Sequence, residues 1–474
     1  MRITQVKQLD RIDALRSHLD ALGVQIPLDG DVEPGGPLST SVEISDGSAS
    51  VLVVPNRFAV LPMEGWDADV DGRPTDLVLR RWGRFGRSGC GLVWGEATAV
   101  RPDGRANPNQ LVLDETTVDA MAEMRDLLAP EQVVGMQLTH SGRYARPGAD
   151  VMPRTAYQHP LLDARVGAGA TNVFGDDELE ELVDQYVAAA CLAYQAGFDF
   201  VDLKHCHGYL LHELLSAHDR PGRFGGDLSG RTAFLRSVVA GIRRLAPDLA
   251  VAVRLSIFDL MPFVAGEEGV GVPDGAGPYR YAFGGDGTGL GIDLTETHEL
   301  LDLIEGLGIG LVSTTAGSPY YNPHVQRPAY FPPSDGYLPP EDPLVGVARQ
   351  LAATAEITER HGGLTVVGSG YSYLQDWLPN VAQAVIRTGG ASMVGVGRMV
   401  LSYPELAADV LAGRPLEKKL VCRTFSDCTT APRNGLVSGC YPLDPFYKAR
   451  PERIELARAK KGAKANLGLP RSRR

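Results

Sequence analysis

An eightfold alternation of short apolar runs with helical segments constrains the fold of this 474-residue chain more than any other feature. Each run is continuously apolar, and each is followed by a loop and then by a helical pattern. Continuous apolarity is typical of strands that are buried on both faces of a parallel sheet. The runs lie at residues 58–63, 92–100, 133–140, 198–203, 251–257, 311–315, 364–367 and 393–396.

The alternation predicts an α/β protein whose residues 56–413 form a (β/α)8 TIM barrel, because eight βα units close most simply into a barrel. A doubly wound open sheet is the competing architecture. Residues 1–55 are predicted to form an N-terminal extension outside the barrel, with a helix at 11–22 and a hairpin at 41–54. Residues 414–474 are predicted to form a C-terminal extension that contains cysteines.

The long segment 260–291 is rich in Gly, Pro and acidic residues. We expect either a lid or excursion from the barrel, or a disordered surface insertion without function.

The net charge of −12 argues against nucleic acid as the main partner, because that binding depends on cationic contacts to phosphate. The chain has neither the apolar core of a signal peptide at its N-terminus nor an apolar stretch of ~18 residues. We therefore expect a cytoplasmic protein that acts on a small molecule and has no membrane partner. The sequence leaves open whether it forms a homo-oligomer.

One basic run near the C-terminus is predicted to be a solvated terminus. It contains Lys460, Lys461, Lys464, Arg471, Arg473 and Arg474.

The strongest chemical signal follows the fourth run, where Lys204, His207 and Tyr209 lead into a helix. We expect these side chains to alternate on one side of an extended segment that leads into a turn, and to converge at the barrel mouth. Such donors can hold an electron-rich oxygen and deliver a proton, as reduction of a polarised double bond requires. A metal site is the alternative, but His205, His207 and His212 lack helical i, i+4 pairing and a carboxylate partner, so we predict no metal here and a structural role for His212.

The same region resembles the Old Yellow Enzyme family of FMN-dependent oxidoreductases, and the resemblance covers roughly residues 56–413. It is carried by Gly197-Phe198-Asp199-Phe200-Val201-Asp202, His207-Gly208-Tyr209-Leu210-Leu211, Arg223-Phe224-Gly225-Gly226 and Arg231. The resemblance implies that Lys204 and His207 bind a substrate carbonyl and that Tyr209 protonates the alpha carbon. The family usually has His where this chain has Lys204, so substrate class and reaction direction stay open.

Other strand ends extend the resemblance and imply an FMN across the C-terminal mouth of the barrel. It places Pro62, Met63 and Glu64 against the flavin, Ala97 beside its ring, Gln137 on its pyrimidine and Arg254 near N1 and O2. Two glycine-containing segments after the last two strands form the expected phosphate cradle; they contain Gly368, Ser369 and Gly370, and Gly397 and Arg398. Taken alone, Gln137 and Arg254 would be interpreted as a satisfied polar layer of the barrel.

Glu64 is an unusual residue at its position. A carboxylate beside the flavin would lower the flavin's reduction potential unless it is protonated or turned away.

Three cysteines after the barrel nearly match the four-cysteine iron-sulfur motif of larger relatives. Cys422, Cys428 and Cys440 are present, and Phe425 stands where the second cysteine is expected. A [4Fe-4S] cluster normally takes four thiolates, so we predict a degenerate extension without a cluster. Asp427 or an exogenous fourth ligand is the alternative. We also expect the chain to end before the additional dinucleotide-binding domains of those relatives.

The resemblance implies an FMN-dependent NAD(P)H oxidoreductase of ene-reductase type that transfers hydride between reduced flavin and an activated alkene or carbonyl compound. The alternative is a flavin-dependent dehydrogenase or demethylase that oxidises its substrate and passes electrons to a separate partner. A non-catalytic flavin-binding protein is the second alternative. Four aromatic residues after the sixth run are candidates for a substrate pocket or for a packed loop: Tyr320, Tyr321, Phe331 and Tyr337.

Overall fold

Eight parallel strands close into a barrel in the computed structural model, which describes residues 3–48 and 51–466. The barrel strands are β3–β7 and β10–β12, and they follow one another around the barrel in chain order, so the predicted (β/α)8 architecture is confirmed. In chain order the strands are β1 (Val42–Ser45), β2 (Val51–Val54), β3 (Phe58–Val60), β4 (Leu92–Ala99), β5 (Val133–Thr139), β6 (Phe200–Leu203), β7 (Ala250–Phe258), β8 (Phe263–Ala265), β9 (Gly271–Pro273), β10 (Leu311–Ala316), β11 (Thr365–Gly368) and β12 (Met393–Val396).

One helix, α1, precedes these strands and the others lie between and after them; the longer ones pack their apolar faces on the outside of the barrel. The pattern at 177–196, for example, becomes α5, whose buried face includes Leu179, Leu182 and Tyr186. The helices are α1 (Ile12–Leu22), α2 (Asp76–Gly86), α3 (Val118–Arg125), α4 (Leu162–Val166), α5 (Asp176–Gln195), α6 (Leu210–Leu215), α7 (Leu228–Arg231), α8 (Ala233–Leu245), α9 (Thr295–Gly306), α10 (Pro323–Gln326), α11 (Pro343–Arg360), α12 (Leu378–Arg387), α13 (Arg398–Ser402), α14 (Leu406–Leu411), α15 (Asp427–Arg433), α16 (Pro445–Lys448) and α17 (Glu452–Asn466). None of the described helices is both long and apolar enough to cross a membrane.

The predicted hairpin is present as the antiparallel pair β1 and β2, and it closes the N-terminal end of the barrel. Its Val42, Ile44 and Val54 belong to the same apolar cluster as the side chains inside the barrel. Asp46 accepts a hydrogen bond from the backbone of Val251 at the start of β7 (3.0 Å). Because this end is filled, the carboxyl ends of the strands form the open mouth.

The N-terminal helix is less separate than the sequence predicts. Leu15 and Leu19 of α1 are buried in the cluster that also holds the barrel's outer helices. The indole of Trp377 donates to the carbonyl of Leu9 (2.6 Å). Apolar spacing predicts the helix but carries no information about the surface that covers it.

Segment 260–291 forms an ordered excursion built on the short antiparallel pair β8 and β9. Tyr279 and Met261 are buried within it, and the Tyr279 hydroxyl lies 2.7 Å from His159 Nε2. The segment is therefore packed against its neighbours, and none of its residues lines the cavity at the mouth.

The C-terminal extension packs against the mouth of the barrel. Ser426 accepts a hydrogen bond from Arg327 in the loop after β10 (2.8 Å), and Arg433 of α15 donates to the carbonyl of Pro319 (2.8 Å). The basic run departs from the prediction at Lys460, which pairs with Asp427. Three of its members, Arg471, Arg473 and Arg474, lie outside the described residues, as does the side chain of Lys464.

Candidate active site

A cavity of about 1340 Å³, counted with the solvent at its opening, occupies the mouth of the barrel. Side chains from the ends of β3, β5, β6, β7, β10, β11 and β12 line it, together with residues of α15. Active sites of (β/α)8 enzymes occupy this end of the barrel. Of the sequence-predicted site residues, the cavity is lined by Pro62, Met63, Glu64, Gln137, Lys204, His207, Tyr209, Arg254, Ser369, Gly370, Gly397, Arg398 and Cys428.

Lys204, His207 and Tyr209 all line the cavity, and the turn that follows the extended segment lies at His207 and Gly208. His207 has φ of 67° and Gly208 has φ of 79°, both in the left-handed region. Inside the turn, Gly208 N donates to His212 Nδ1 (2.8 Å), and Tyr209 then stands at the N-cap of α6. The buried His212 is thus tied to the turn that presents His207 and Tyr209.

Glu64 is the centre of the polar network on this side of the cavity. Its Oε1 lies 2.5 Å from Lys204 Nζ, and its Oε2 accepts hydrogen bonds from the Tyr209 hydroxyl (2.9 Å) and from Trp66 Nε1 (2.9 Å). The Lys204 ammonium also lies 3.7 Å from the centre of the Tyr209 ring. The carboxylate is therefore turned toward a cation and two donors.

The loop that carries Glu64 is itself anchored to the barrel. Glu96 of β4 accepts from Gly65 N (3.1 Å) and pairs with Arg81 (2.8 Å), which also pairs with Asp67 (2.6 Å). All three charged side chains are buried. This arrangement fixes the backbone on both sides of Gly65 and with it the position of Glu64.

Burial sets the protonation of the two proton-handling groups. It raises the pKa of Tyr209 well above its usual value, and the Glu64 charge adds to the effect, so the phenol keeps its proton. It lowers the pKa of His207 well below its usual value, with help from the charges of Arg254 and Lys204, so the imidazole is neutral. His207 Nε2 lies 3.2 Å from Thr315 Oγ1 and 3.3 Å from Gln326 Nε2.

Tyr209 also contacts a second phenol. Its hydroxyl lies 3.1 Å from that of Tyr320, whose ring stacks on Tyr144 with 3.8 Å between ring centres. Of the four aromatic candidates, Tyr320 lines the cavity. Tyr321 bonds Asp259 behind it, Tyr337 bonds His324, and Phe331 stacks on Phe425.

A second polar network is built around Asp202 on β6, between Gln137 of β5 and Arg254 of β7. Its carboxylate accepts from Gln137 Nε2 (2.5 Å), Trp94 Nε1 (2.7 Å) and Arg254 N (2.6 Å). Burial raises the pKa of Asp202 to about 6. Because the side-chain nitrogen of Gln137 donates to Asp202, the side-chain oxygen of Gln137 is available to accept a hydrogen bond from a ligand.

Three guanidinium groups line the cavity: Arg254 is buried, and Arg327 and Arg398 are partly buried. Arg254 donates to the carbonyl of Pro62 (3.3 Å), and its buried Nε has no partner. Arg398 donates to the carbonyl of Pro328 (3.1 Å), and its buried Nη1 has none. Arg327 is close enough to Arg398 for the two charges to disfavour one another, and burial and Arg398 together lower the pKa of Arg327. Within residues 3–48 and 51–466, no carboxylate forms an ion pair with any of the three.

This arrangement fits FMN, whose phosphate is anionic, whose pyrimidine carries an N–H donor and whose N1–C2=O edge becomes electron-rich on reduction. Arg327 and Arg398 lie beside Gly397, which is open toward the cavity, and Gly370, which has φ of 98°. These groups match a phosphate. The free acceptor of Gln137 and the uncompensated charge of Arg254 match the pyrimidine and the N1–C2=O edge.

Two predicted cofactor residues do not line the cavity. Ala97 is buried in β4 beside Gln137, and Gly368 lies in β11 with Tyr371 packed over it. Conversely, several lining residues carry no sequence motif; they include Gln326, Arg327, Thr429, Arg433 and Ser438. Four of these five carry hydroxyl or guanidinium groups, but they come from a loop and an extension whose approach to the mouth no local pattern indicates.

The three C-terminal cysteines lie near one another. Burial raises the pKa of Cys440, and Cys422 and Cys428 are close enough to add to that effect. Cys428 lines the cavity, whereas Cys422 and Cys440 do not. Phe425, which replaces the expected second cysteine, stacks on Phe331 with ring centres 5.8 Å apart. The absence of an iron-sulfur cluster stays a prediction.

Residues 51–267, a little under half of the chain, match the model of the NADH:flavin oxidoreductase / NADH oxidase family. This part of the chain is similar to the members of that family. The match confirms the resemblance found in the strand-end motifs, and it covers the Glu64 loop, the Lys204–Tyr209 turn and both Gln137 and Arg254.

Curated members related to the chain include reductases and dehydrogenases. An NADH:flavin oxidoreductase of Gibberella zeae is 29% identical over 237 residues, which cover 45% of this chain and 56% of that protein. An NADPH dehydrogenase of Bacillus subtilis is 23% identical over 376 residues, which cover 78% of this chain and 93% of that protein.

Solved structures share the fold at lower sequence identity. A 2-naphthoyl-CoA reductase complex is 18% identical with a TM-score of 0.65, and the match covers 87% of this chain and 57% of the reductase. Histamine dehydrogenase from Rhizobium sp. 4-9 is 19% identical with a TM-score of 0.65, and the match covers 88% of this chain and 53% of the dehydrogenase. The Old Yellow Enzyme homologue of Zymomonas mobilis is 21% identical with a TM-score of 0.55, and the match covers 82% of this chain and 96% of that protein. The chain thus spans little more than half the length of several proteins that it matches.

Proposed function

We propose that the protein is an FMN-dependent oxidoreductase that uses NAD(P)H to reduce a carbon–carbon double bond conjugated to a carbonyl group. The observation that carries the proposal is the convergence of Lys204, His207 and Tyr209 on a cavity that Gln137 and Arg254 also line. The match of residues 51–267 to the NADH:flavin oxidoreductase / NADH oxidase family supports the flavin chemistry. Bound FMN would supply the hydride exchange between NAD(P)H and substrate.

The side chains around the cavity have two roles, which are substrate binding and proton transfer. Lys204 and the neutral His207 bind the substrate's carbonyl oxygen and polarise the double bond. As hydride reaches the beta carbon, the Tyr209 hydroxyl gives its proton to the alpha carbon. Tyr320, 3.1 Å from Tyr209, lies where it can return a proton to the phenol after turnover.

Oxidation of a substrate is the second candidate, and Glu64 favours it. Its carboxylate lies 2.9 Å from the Tyr209 hydroxyl and so can accept a proton that leaves a substrate through Tyr209. The solved neighbours do not decide the direction, because they include both a reductase and a dehydrogenase.

Anaerobic stopped-flow mixing of the purified, FMN-loaded protein with NADPH or NADH tests the proposal. We expect bleaching of the flavin by at least one of them, followed by reoxidation when 2-cyclohexenone is added. Failure of both nucleotides to reduce the flavin, with reduction by an amine substrate, would select the oxidative candidate. An absorption spectrum of the same sample reports the flavin and any iron-sulfur cluster together.

A Tyr209→Phe variant separates catalysis from flavin binding. If the protein only stores flavin, the variant and the wild type will behave alike in both half-reactions. Under the proposal the two reduce at equal rates with NAD(P)H and differ in the step that consumes the alkene.

A further inference from the structure

A second cluster of polar side chains lies on the outside of the barrel, away from the active site. His298, Asp302 and Glu305 lie at i, i+4 and i+7 of α9 and therefore share one face of that helix. His361 follows the end of α11 and reaches the same place. Both segments lead into the N-terminal ends of strands, β10 and β11, so the cluster lies at the end of the barrel opposite to the cavity.

The separations within the cluster suit a metal ion better than they suit hydrogen bonds. His361 Nδ1 lies 3.5 Å from Asp302 Oδ1 and 3.4 Å from Glu305 Oε2, and ligand atoms of all three residues lie within 4.8 Å of one another. Hydrogen bonds of this kind are normally 2.7–3.2 Å long. Tetrahedral zinc with bonds of about 2.0–2.2 Å holds its ligand atoms about 3.3–3.6 Å apart.

The buried histidines are connected as metal-bound histidines are. His361 Nε2 lies 2.9 Å from His298 Nδ1, and His298 Nε2 lies 3.2 Å from Glu356 Oε1. If His361 Nε2–H donates to His298 and His298 Nε2–H donates to Glu356, then His361 Nδ1 carries a free lone pair directed at the two carboxylates. Metal-bound histidines typically donate their other N–H in this way.

The charge of the cluster also favours a cation. Asp302, Glu305 and Glu356 pair only with histidines in the part of the chain that the structure describes, and no Lys or Arg forms an ion pair with any of them. Imidazole with carboxylate is a donor set that suits zinc and similar divalent transition metals.

We propose that His361, Asp302 and Glu305 bind one divalent transition metal ion, with Zn²⁺ as the best fit and water in the fourth position. His298 is a positioning residue that fixes the His361 tautomer. The ion joins α9 to the end of α11 and stabilises the fold at the closed end of the barrel, without a part in the flavin chemistry.

Isothermal titration of the metal-stripped, FMN-loaded full-length protein with ZnCl₂, followed by thermal unfolding with and without zinc, tests the site. We expect one ion per chain and a rise of several degrees in Tm. The Asp302→Asn/Glu305→Gln double variant should lose both effects, and because Asp302 is exposed and Glu305 half-buried, it should fold. His361→Gln should weaken zinc binding at least tenfold.

The matched control is Glu299→Gln, which removes an exposed carboxylate from the same helix. It should bind zinc as the wild type does, and the flavin spectrum should be the same in all variants. Absence of stoichiometric binding by the wild type, or equal binding by the Asp302→Asn/Glu305→Gln variant, would overturn the proposal. Binding that needs the carboxylates but not His361 would also contradict it.

Discussion

The Tyr209 hydroxyl and the Lys204 ammonium share one carboxylate, Glu64, at 2.9 Å and 2.5 Å. Lys204 is buried, so Glu64 is its charge partner as well as the acceptor for the proposed proton donor. A substrate carbonyl that binds Lys204 must compete with this carboxylate. The pair therefore links the charge beside the proposed flavin to the protonation of Tyr209.

Glu64→Gln should raise the reduction potential of the bound flavin, because it leaves the Lys204 cation without its partner. We expect a change on the order of 30 mV, about 1.4 kcal/mol for a two-electron couple. Spectroelectrochemical titration measures it. The Glu64→Gln/Lys204→Gln double variant removes both charges and should return the potential toward that of the wild type; a double variant that matches the single one would show that Lys204 is not the cause.

Tyr209→Phe should slow reoxidation of the reduced flavin by an alkene by about 10²- to 10⁴-fold, the range expected when a general acid is lost. Reduction by NAD(P)H should keep its rate, since that half-reaction needs no proton from Tyr209. Stopped-flow absorbance follows the two half-reactions separately. Tyr320→Phe is the matched control and should have a smaller effect, because Tyr320 contacts the phenol and not the substrate carbon in the proposed scheme.

Arg327→Ala should weaken FMN binding, although no sequence motif marks this residue. A hydrogen bond to a charged group contributes about 1.5–3 kcal/mol, so we expect Kd to rise by about 10- to 150-fold. Fluorescence titration of the apoprotein with FMN gives the value. Arg349→Ala serves as the control, because Arg349 pairs with Glu341 and does not line the cavity; equal affinity of the wild type and Arg327→Ala would remove Arg327 from the phosphate site.

Much of the fold could be predicted because each barrel strand is marked by a short apolar run in the sequence. Residues 393–396, for example, are a buried apolar run in the sequence and become β12 with the same bounds. The hairpin at 41–54 was predictable from its turn, but its position inside the closed end of the barrel was not. That position depends on Asp46 meeting the backbone of Val251, about two hundred residues away, and no local pattern encodes such a contact.

The candidate site could also be predicted only in part. Lys204, His207 and Tyr209 are close in sequence, so their proximity could be predicted, whereas the left-handed turn at His207 that brings them together could not. Non-glycine residues rarely adopt positive φ, and here His212 and the buried surroundings hold the turn. The proposed zinc site has no local sequence signal, because His361 follows α11 whereas Asp302 and Glu305 lie on α9.

Asp202 should make the stability of the fold depend on pH between about 4 and 6. Its pKa is raised by burial from its ordinary value of 3.8 to about 6, so the folded protein holds a proton that the unfolded chain releases. The resulting stabilisation is complete below pH 4 and is lost as the pH rises through 6. A shift of about two units corresponds to about 3 kcal/mol. Asp259, whose pKa burial also raises to about 6, should add a similar dependence.

Chemical denaturation at a series of pH values measures this dependence. Asp202→Asn keeps an acceptor for Trp94 and removes the titrating group, so its free energy of unfolding should fall less steeply between pH 4 and 6 than that of the wild type. Asp259→Asn is the matched comparison, since Asp259 bonds Tyr321 and Asn322 outside the cavity. Both variants should flatten the profile, but only Asp202→Asn should also weaken FMN binding, because Asp202 alone holds Gln137 and the backbone of Arg254. An Asp202→Asn profile as steep as that of the wild type would mean that Asp202 is already ionised in the folded protein at pH 4.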